Sequence, residues 1–306
     1  MYKNVGDFSI YENSVLLQNE IIKWIGNNFK NSNKYRFTLG LSGGSDSCSI
    51  LSLVVKALGN ESVFTVSIPS KHNSDGTKND SQTLCDNLGV KLHWANDIIN
   101  DGLSVYNKQL ELLNVPMKDK SLAYENMQAR LRGVLLMQIS AVLNDSGIYN
   151  WVLNTGNATE DLFGYYTIQG GDSVGAFSPI SLLVKDEVFA LCSTMKEIPI
   201  SVYTRKATAE LNDNQTDEVG MGINFKSSSN ILRGLFQNPY KLKDWLNNED
   251  IISEDEFTVL KILKKNSFKL FNFNPIIPVE KNSPLYQELK NRQESTEIIK
   301  SILLQK

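Results

Sequence analysis

The sequence predicts an α/β fold: a doubly wound, mostly parallel sheet flanked by helices, with a helical part toward the C-terminal end. Three observations lead there. Short apolar runs suited to strands alternate with longer segments of helical spacing across the first half of the chain. A stretch of small residues, Leu39-Gly40-Leu41-Ser42-Gly43-Gly44-Ser45-Asp46-Ser47, joins one such strand to one such helix. Past about residue 225, the segments that can be read are helices.

In order, Asn13, Val15, Leu16, Leu17, Ile21, Ile22, Trp24, Ile25 and Phe29 place apolar groups at helical spacing, and Lys30-Asn31-Ser32-Asn33 breaks the helix. Residues 37–41 are a short apolar strand and 49–58 an apolar helix closed by Gly59. Residues 63–68 form a second strand stopped by Pro69, followed by a polar loop over 71–77. A helix over 80–88 closes at Gly89, and 90–94 is a third strand. Residues 97–120 suit a helix and a looser connection, and 124–143 a long helix with Asn126, Arg130, Gly133 and Met137 on one face. A fourth strand over 151–154 runs into Thr155-Gly156-Asn157-Ala158-Thr159-Glu160, then into a glycine- and tyrosine-rich loop over 164–172. Residues 179–195 carry a helix with Lys185 near its start, and 205–218 a polar stretch expected to be mobile. Ser253-Glu254-Asp255-Glu256 has capping-box spacing and opens a helix to about residue 264; a charged helix spans 286–304. In such parallel sheets ligands sit at the carboxyl ends of the strands, where the loop over 42–47 falls.

Composition bounds the function. With 306 residues, 41% apolar and 21% charged, the chain supports a buried core. We take it as a single domain over 1–306, with a core about 13–225 and a helical region about 226–306. A net charge of −3 and a pI near 5.6 argue against nucleic acid or an anionic membrane as partners. No apolar run has the length of a membrane span, and residues 1–7 do not resemble a signal peptide. Cys48, Cys85 and Cys192 lie in apolar surroundings without pair spacing, as buried thiols in a reducing compartment do. Two histidines, His72 and His93, are too few for a histidine metal centre. A cytoplasmic address is expected.

The chemistry centres on the loop. Glycines let backbone N–H groups approach a ligand, and a helix N-terminus adds unpaired donors and partial positive charge, which together make an anion site. Ser42, Ser45 and Ser47 add hydroxyls. A carboxylate beside a phosphate is repulsive unless a cation bridges them, so Asp46 suits a Mg²⁺ ligand or a holder of its water. No Gly-Lys-Ser/Thr follows, and no G-x-G-x-x-G occurs there.

The Ser-Gly-Gly-x-Asp-Ser order resembles the pyrophosphate loop of the N-type ATP pyrophosphatases, which cleave ATP between the α and β phosphates. Further motifs narrow this. Glu125-Asn126-Met127-Gln128-Ala129-Arg130-Leu131-Arg132, Thr155 to Glu160 with Gly164-Tyr165, Gly171-Asp172 with Pro179 and Lys185, and Ala207-Thr208-Ala209-Glu210-Leu211 with Gln215 and Asp217-Glu218 resemble NAD synthetase in order and spacing. The resemblance runs from about residue 39 to about 218. It implies a Rossmann-like, mostly parallel five-stranded sheet and an ammonia-dependent ligase. The nicotinate carboxylate of nicotinic acid adenine dinucleotide is adenylated by ATP, then amidated by ammonia, giving NAD, AMP and pyrophosphate.

Residue by residue, the resemblance implies that Leu41, Ser42, Gly43, Gly44, Ser45, Asp46 and Ser47 bind ATP with Thr155, Lys185 and Thr208. Asp46 and Glu160 would hold Mg²⁺. Asn126, Arg130, Asp172 and Lys269 would bind the dinucleotide, and Asp46, Lys185 and Asp172 would be catalytic. Alternative readings are a dipole-stabilised acid for Glu160, a surface lysine for Lys185 and a helix-face ion pair for Arg130. The pattern departs at Ser267-Phe268-Lys269-Leu270, where the family commonly has a Lys-Arg pair. A homodimer through the helix over 124–143 is implied. About 38 residues precede the loop, with no cysteine before Cys48, so no glutaminase is expected within this sequence. The stretch over 207–218 nonetheless looks closer to the glutamine-using form, which leaves a separate glutaminase partner open. Another adenylating amidotransferase or thiolase of the same fold, and a non-catalytic nucleotide binder, are the rivals.

Overall fold

The computed structural model describes residues 13–29, 35–147, 149–212, 216–249 and 252–304, apart from the side chains of 35, 172 and 272. The expected helix break over 30–33 and Gln215 lie outside the described residues.

Four parallel strands, β1 (Tyr35–Gly40), β2 (Val63–Ser67), β3 (Leu92–Trp94) and β4 (Tyr149–Val152), stand in the order β3-β2-β1-β4. Their register pairs Phe37 with Val63 and Trp151, and Thr65 with Leu92. The five strands implied by the resemblance are therefore four among the described residues. Where a fifth would lie, the Ala176 N–H donates to Val152 O (2.8 Å) and the Asn154 N–H to Phe177 O (3.1 Å). Gly175, with a φ of +137°, and Pro179 end that pairing before a ladder forms.

Helices cover both faces. On one lie α1 (Ser14–Phe29), α2 (Ser45–Leu58) and α3 (Asp75–Leu88), and on the other α4 (Ile98–Leu112) and α5 (Leu122–Asp145). After β4 come α6 (Ala158–Phe163), α7 (Lys185–Ser193) and α8 (Ile200–Thr204); α7 packs against α1 and α2. Ile21 and Ile25 of α1, Leu51 and Val54 of α2, and Leu191 of α7 bury against Phe37 and Leu39. Ile99, Leu103, Leu131 and Leu136 bury with Val66 and Val152 across the sheet. β2 is buried nearly throughout and reads as a mostly apolar run, whereas β4 alternates exposed and buried residues.

Helix starts differ from the expected ones for capping reasons. The loop's Ser45, Asp46 and Ser47 are already the first turn of α2, with Gly44 as N-cap. Ser74 caps α3 by accepting from the Thr77 N–H, so that helix begins five residues early. Turns at Ser178–Ser181 and Ile180–Leu183 delay α7 until Lys185.

The C-terminal part comprises α9 (Asp217–Met221), α10 (Phe225–Gln237), α11 (Lys241–Asn247), α12 (Glu254–Asn266) and α13 (Tyr286–Leu304). Ser253 and Glu256 close the expected capping box on α12. Leu232, Trp245, Leu260 and Ile299 form a second core with Leu162 and Phe163 of α6. Leu270, which stands where the resemblance implies arginine, is wholly buried there. Among the described residues no helix is long and apolar enough to cross a membrane. The three cysteines are free and buried, and burial raises each thiol pKa, that of Cys85 to about 12.

Candidate active site

A cavity of about 740 Å³ opens at the carboxyl ends of β1, β2 and β4. The sheet order places it there: β2 lies on one side of β1 and β4 on the other, so the chain's crossovers diverge above β1. Its floor is the loop over 41–47, turned by Gly43 at a φ of +80°. Serines tie the loop to itself. The Ser42 N–H donates to Ser47 Oγ (3.3 Å), the Gly44 N–H to Ser42 Oγ (3.2 Å), and the Ser47 hydroxyl to Gly44 O (3.3 Å). No side chain caps α2, so the first N–H groups of that helix are left for a ligand.

Opposite the loop, α6 and α7 deliver the charges. Asn157 caps α6, accepting from the Thr159 and Glu160 N–H groups, and its Nδ2 donates to Asp46 Oδ1 (2.8 Å). The Lys185 N–H donates to Thr159 Oγ1 (3.0 Å), which sets the first residue of α7 beside α6. The Lys185 ammonium, 3% exposed, bonds Asp46 and, at 2.8 Å, Glu160 Oε1. It also lies 5.9 and 5.8 Å from the rings of Phe189 and Phe225. Burial acts to lower the Lys185 pKa, but Asp46, Glu160 and Asp217 outweigh it and hold the ammonium above the ordinary lysine value. Asp217 is itself pushed above the usual aspartate range by burial, with Asp46 and Glu218 adding to it against Lys185 and the Ala209 N–H.

A polar strap closes one side. The Asp217 N–H donates to Ala207 O (3.0 Å), and its carboxylate accepts from the Ala209 N–H (3.0 Å). Thr208, between them, lines the cavity and accepts from the Glu210 N–H (3.1 Å). The buried Glu210 carboxylate accepts from Asn73 Nδ2 and Thr77 Oγ1, both at 2.8 Å. Gln128 Nε2 donates to Leu211 O (3.0 Å), and Asn212 bonds Glu125. Residues 207–212 are thus met by side chains of α3, of α5 and of the loop before α3.

Of the expected site residues, Leu41 to Ser47, Asn126, Thr155, Glu160, Lys185, Thr208 and Lys269 all line this one cavity. Asn126 Oδ1 accepts from Thr167 Oγ1 (2.7 Å). Lys269 Nζ donates to Gly164 O and Tyr166 O, both at 2.6 Å, which clips the glycine–tyrosine loop to the C-terminal part. Arg130 is exposed on α5 outside the lining, its Nε 3.4 Å from Ile168 O. Asp172 lies in a short turn, Gly171–Ser173, and its side chain is outside the described part. Residues without an expected role also line the cavity: Arg132, whose Nε donates to Ile68 O (3.0 Å), Glu210 and Asp217. Residues two apart on a helix point away from each other, so Arg130 and Arg132 could not both face inward. Asn157 carried a signal of its own, an N-cap residue between a strand end and a helix.

A glycine turn that leaves helix N–H groups open at the carboxyl edge of a parallel sheet places the protein among the α/β folds with an anion-binding loop at that edge. Within that class, the sequence profile of NAD synthase matches residues 17–272, and the chain belongs to the NAD synthase family, a family of ligases. It is 40% identical over 188 residues to the glutamine-dependent NAD(+) synthetase of Xanthomonas campestris pv. campestris, over 59% of this chain and 32% of that one. It is 32% identical over 238 residues to the NH(3)-dependent NAD(+) synthetase of Pyrococcus furiosus, over 78% of this chain and 86% of that one. The solved NH3-dependent NAD synthetase of Campylobacter jejuni superposes with a TM-score of 0.62 at 26% identity, covering 86% of this chain and 98% of that one. The chain spans about a third of the length of several glutamine-dependent relatives it matches.

Proposed function

We propose that this chain is an ammonia-dependent NAD synthetase: it adenylates the nicotinate carboxylate of nicotinic acid adenine dinucleotide with ATP and amidates the product with ammonia. The observation that carries the reading is Lys185, buried between Asp46 and Glu160 above the glycine turn. A carboxylate is a poor partner for ammonia until its oxygen becomes a leaving group. Forming that group brings the carboxylate against a triphosphate, so the site must supply positive charge and N–H donors where charge develops.

The N–H groups and hydroxyls over 41–47 would receive the departing pyrophosphate, with Lys185 neutralising the phosphates and Thr208 and Thr155 bounding the ATP. The fit of a metal rests on Asp46 and Glu160, two hard oxygen donors that already converge on one cationic group. Magnesium characteristically takes one or two carboxylates and completes its shell with substrate phosphate and water. Bound there, Mg²⁺ would supply charge neutralisation at the phosphates. Asn126 and Lys269, which line the cavity, would hold the dinucleotide, with Arg130 contributing from outside the lining, and Asp172 would take a proton from ammonium near the nicotinate end. The chain would act as one domain in the cytoplasm. It would also be a homodimer through α5, which leaves Val134 66% and Met137 54% exposed.

The higher identity to a glutamine-dependent relative favours a second reading, a synthetase subunit fed by a separate glutaminase. The chemistry that both readings share is tested by NAD formation from the dinucleotide acid, ATP and Mg²⁺, with ammonium or with glutamine, following AMP and pyrophosphate; the second reading is tested by whether glutamine is used once a separate glutaminase is added. Product with ammonium alone is expected. No product with either nitrogen source would overturn the reading.

A further inference from the structure

The segment that carries Lys185 opens α7 and is tied to α6 by two hydrogen bonds, the Lys185 N–H to Thr159 Oγ1 (3.0 Å) and the Ala158 N–H to Leu183 O (2.8 Å). Lys185 is the first residue of α7, preceded by turns rather than by regular structure. Its position therefore depends also on what grips the chain on either side. One guanidinium does both. Arg292 of α13, 2% exposed, donates from Nη1 to Leu182 O (3.1 Å), three residues before the lysine. It also makes a bidentate pair with Glu187, two residues after it, at 2.7 and 2.9 Å. Glu187 Oε2 in turn accepts from the Val184 N–H (3.0 Å). Glu288 holds Arg292 Nε at 3.0 Å, and Arg233 of α10 forks onto Asp186 at 2.8 and 2.9 Å. The two residues that follow the buried lysine are thus each clamped by an arginine from a different C-terminal helix.

We infer that Arg292 is a positioning residue for Lys185, through which the C-terminal helices set the register of the phosphate-binding lysine. A buried ion pair contributes little net stability over apolar packing, whereas a bidentate fork fixes direction as well as distance. The inference rests on the proposed function in one respect, that Lys185 meets the nucleotide's phosphates.

The test compares Arg292→Met, Arg292→Lys and the pair Arg292→Met with Glu187→Gln, using thermal melts, calorimetric titration with ATP and Mg²⁺, and steady-state assays. Arg292→Met alone leaves the buried Glu187 carboxylate with Arg233 Nη1, at 3.6 Å, as its remaining cation, and should melt early. The double variant removes both charges and should regain most of the lost thermal midpoint. It should still bind ATP about fivefold more weakly and turn over about tenfold more slowly, with KM for the dinucleotide unchanged. Arg292→Lys keeps the charge without the fork and should fall between. ATP affinity and kcat returning to wild type with the melting point would overturn the inference. If the wild type makes no NAD, the titration still decides whether Arg292 governs ATP binding, so failure of the reaction is separable from failure of the positioning role.

Discussion

Asp46 shows what one side chain does here and what it does not. Its carboxylate accepts from Asn157 and pairs with Lys185, yet Lys185 also has Glu160. Asp46→Asn keeps an oxygen for Asn157 and leaves the lysine one partner, so the fold should survive while NAD formation is nearly abolished. Full activity in that variant, measured alongside a circular-dichroism melt, would remove Asp46 from the metal and phosphate roles. Asp217 has the opposite signature. Burial raises its pKa, so the folded state holds its proton more tightly than the unfolded chain does. Such an acid carries no penalty at low pH, opposes folding increasingly as pH rises from the ordinary aspartate range to its folded value, and above that opposes it by a constant amount. Asp217→Asn can still accept the Ala209 N–H through its amide oxygen, and should raise the thermal midpoint at pH 7 by a few degrees. The gain should shrink below about pH 4, where the aspartate is protonated in either state. For Lys185 the sign runs the other way. Its raised pKa means that its ion pairs stabilise fully below about pH 10 and weaken only above that, so they add no pH dependence near neutrality.

At the scale of the element, the glycine loop before α2 depends on close approach. Gly43 adopts a φ of +80°, and a Cβ there would lie 2.2 Å from the carbonyl oxygen of Thr77 on α3. Gly43→Ala combines left-handed strain with that overlap and should cost about 3 kcal/mol, read as a fall in the denaturation midpoint. Gly44 has a φ of −84°, and its added Cβ would meet only Ser42 Oγ, at 3.3 Å. Gly44→Ala should stay within about 1 kcal/mol. Equal losses in the two variants would mean that α3 does not pin the turn. The glycine pair was visible in the sequence, but which glycine bears the constraint follows from the approach of α3. The same distinction applies to α5: its helical period was legible, while the face that meets the cavity was set by packing. Arg132 and Asn126 line the cavity, and Arg130 does not.

For the whole molecule, the C-terminal part is bound into the site in two ways, through Lys269 on the glycine–tyrosine loop and through Arg292 and Arg233 on α7. Its motifs match the resemblance least, with Leu270 in place of a basic residue, because there it fills a core rather than reaching a ligand. On its outer face α5 leaves Val134 66% and Met137 54% exposed. A homodimer would cover that surface. Val134→Glu with Met137→Lys should convert a dimer to a monomer in sedimentation, with the melting point of the monomer little changed. An unchanged sedimentation coefficient would place any self-association elsewhere.

The sequence by itself determined the alternation of strands and helices, the glycine turn at the start of α2, the capping of α12 and the family. These rest on patterns within a few residues, where apolar period, caps and turn residues act locally. Only the tertiary structure decided that Asp46 meets Lys185, 139 residues away, that Glu187 meets Arg292, 105 away, and that the sheet has four described strands. Such pairings are chosen by how buried faces pack, and a charge gives no local sign of the partner it will find across the core.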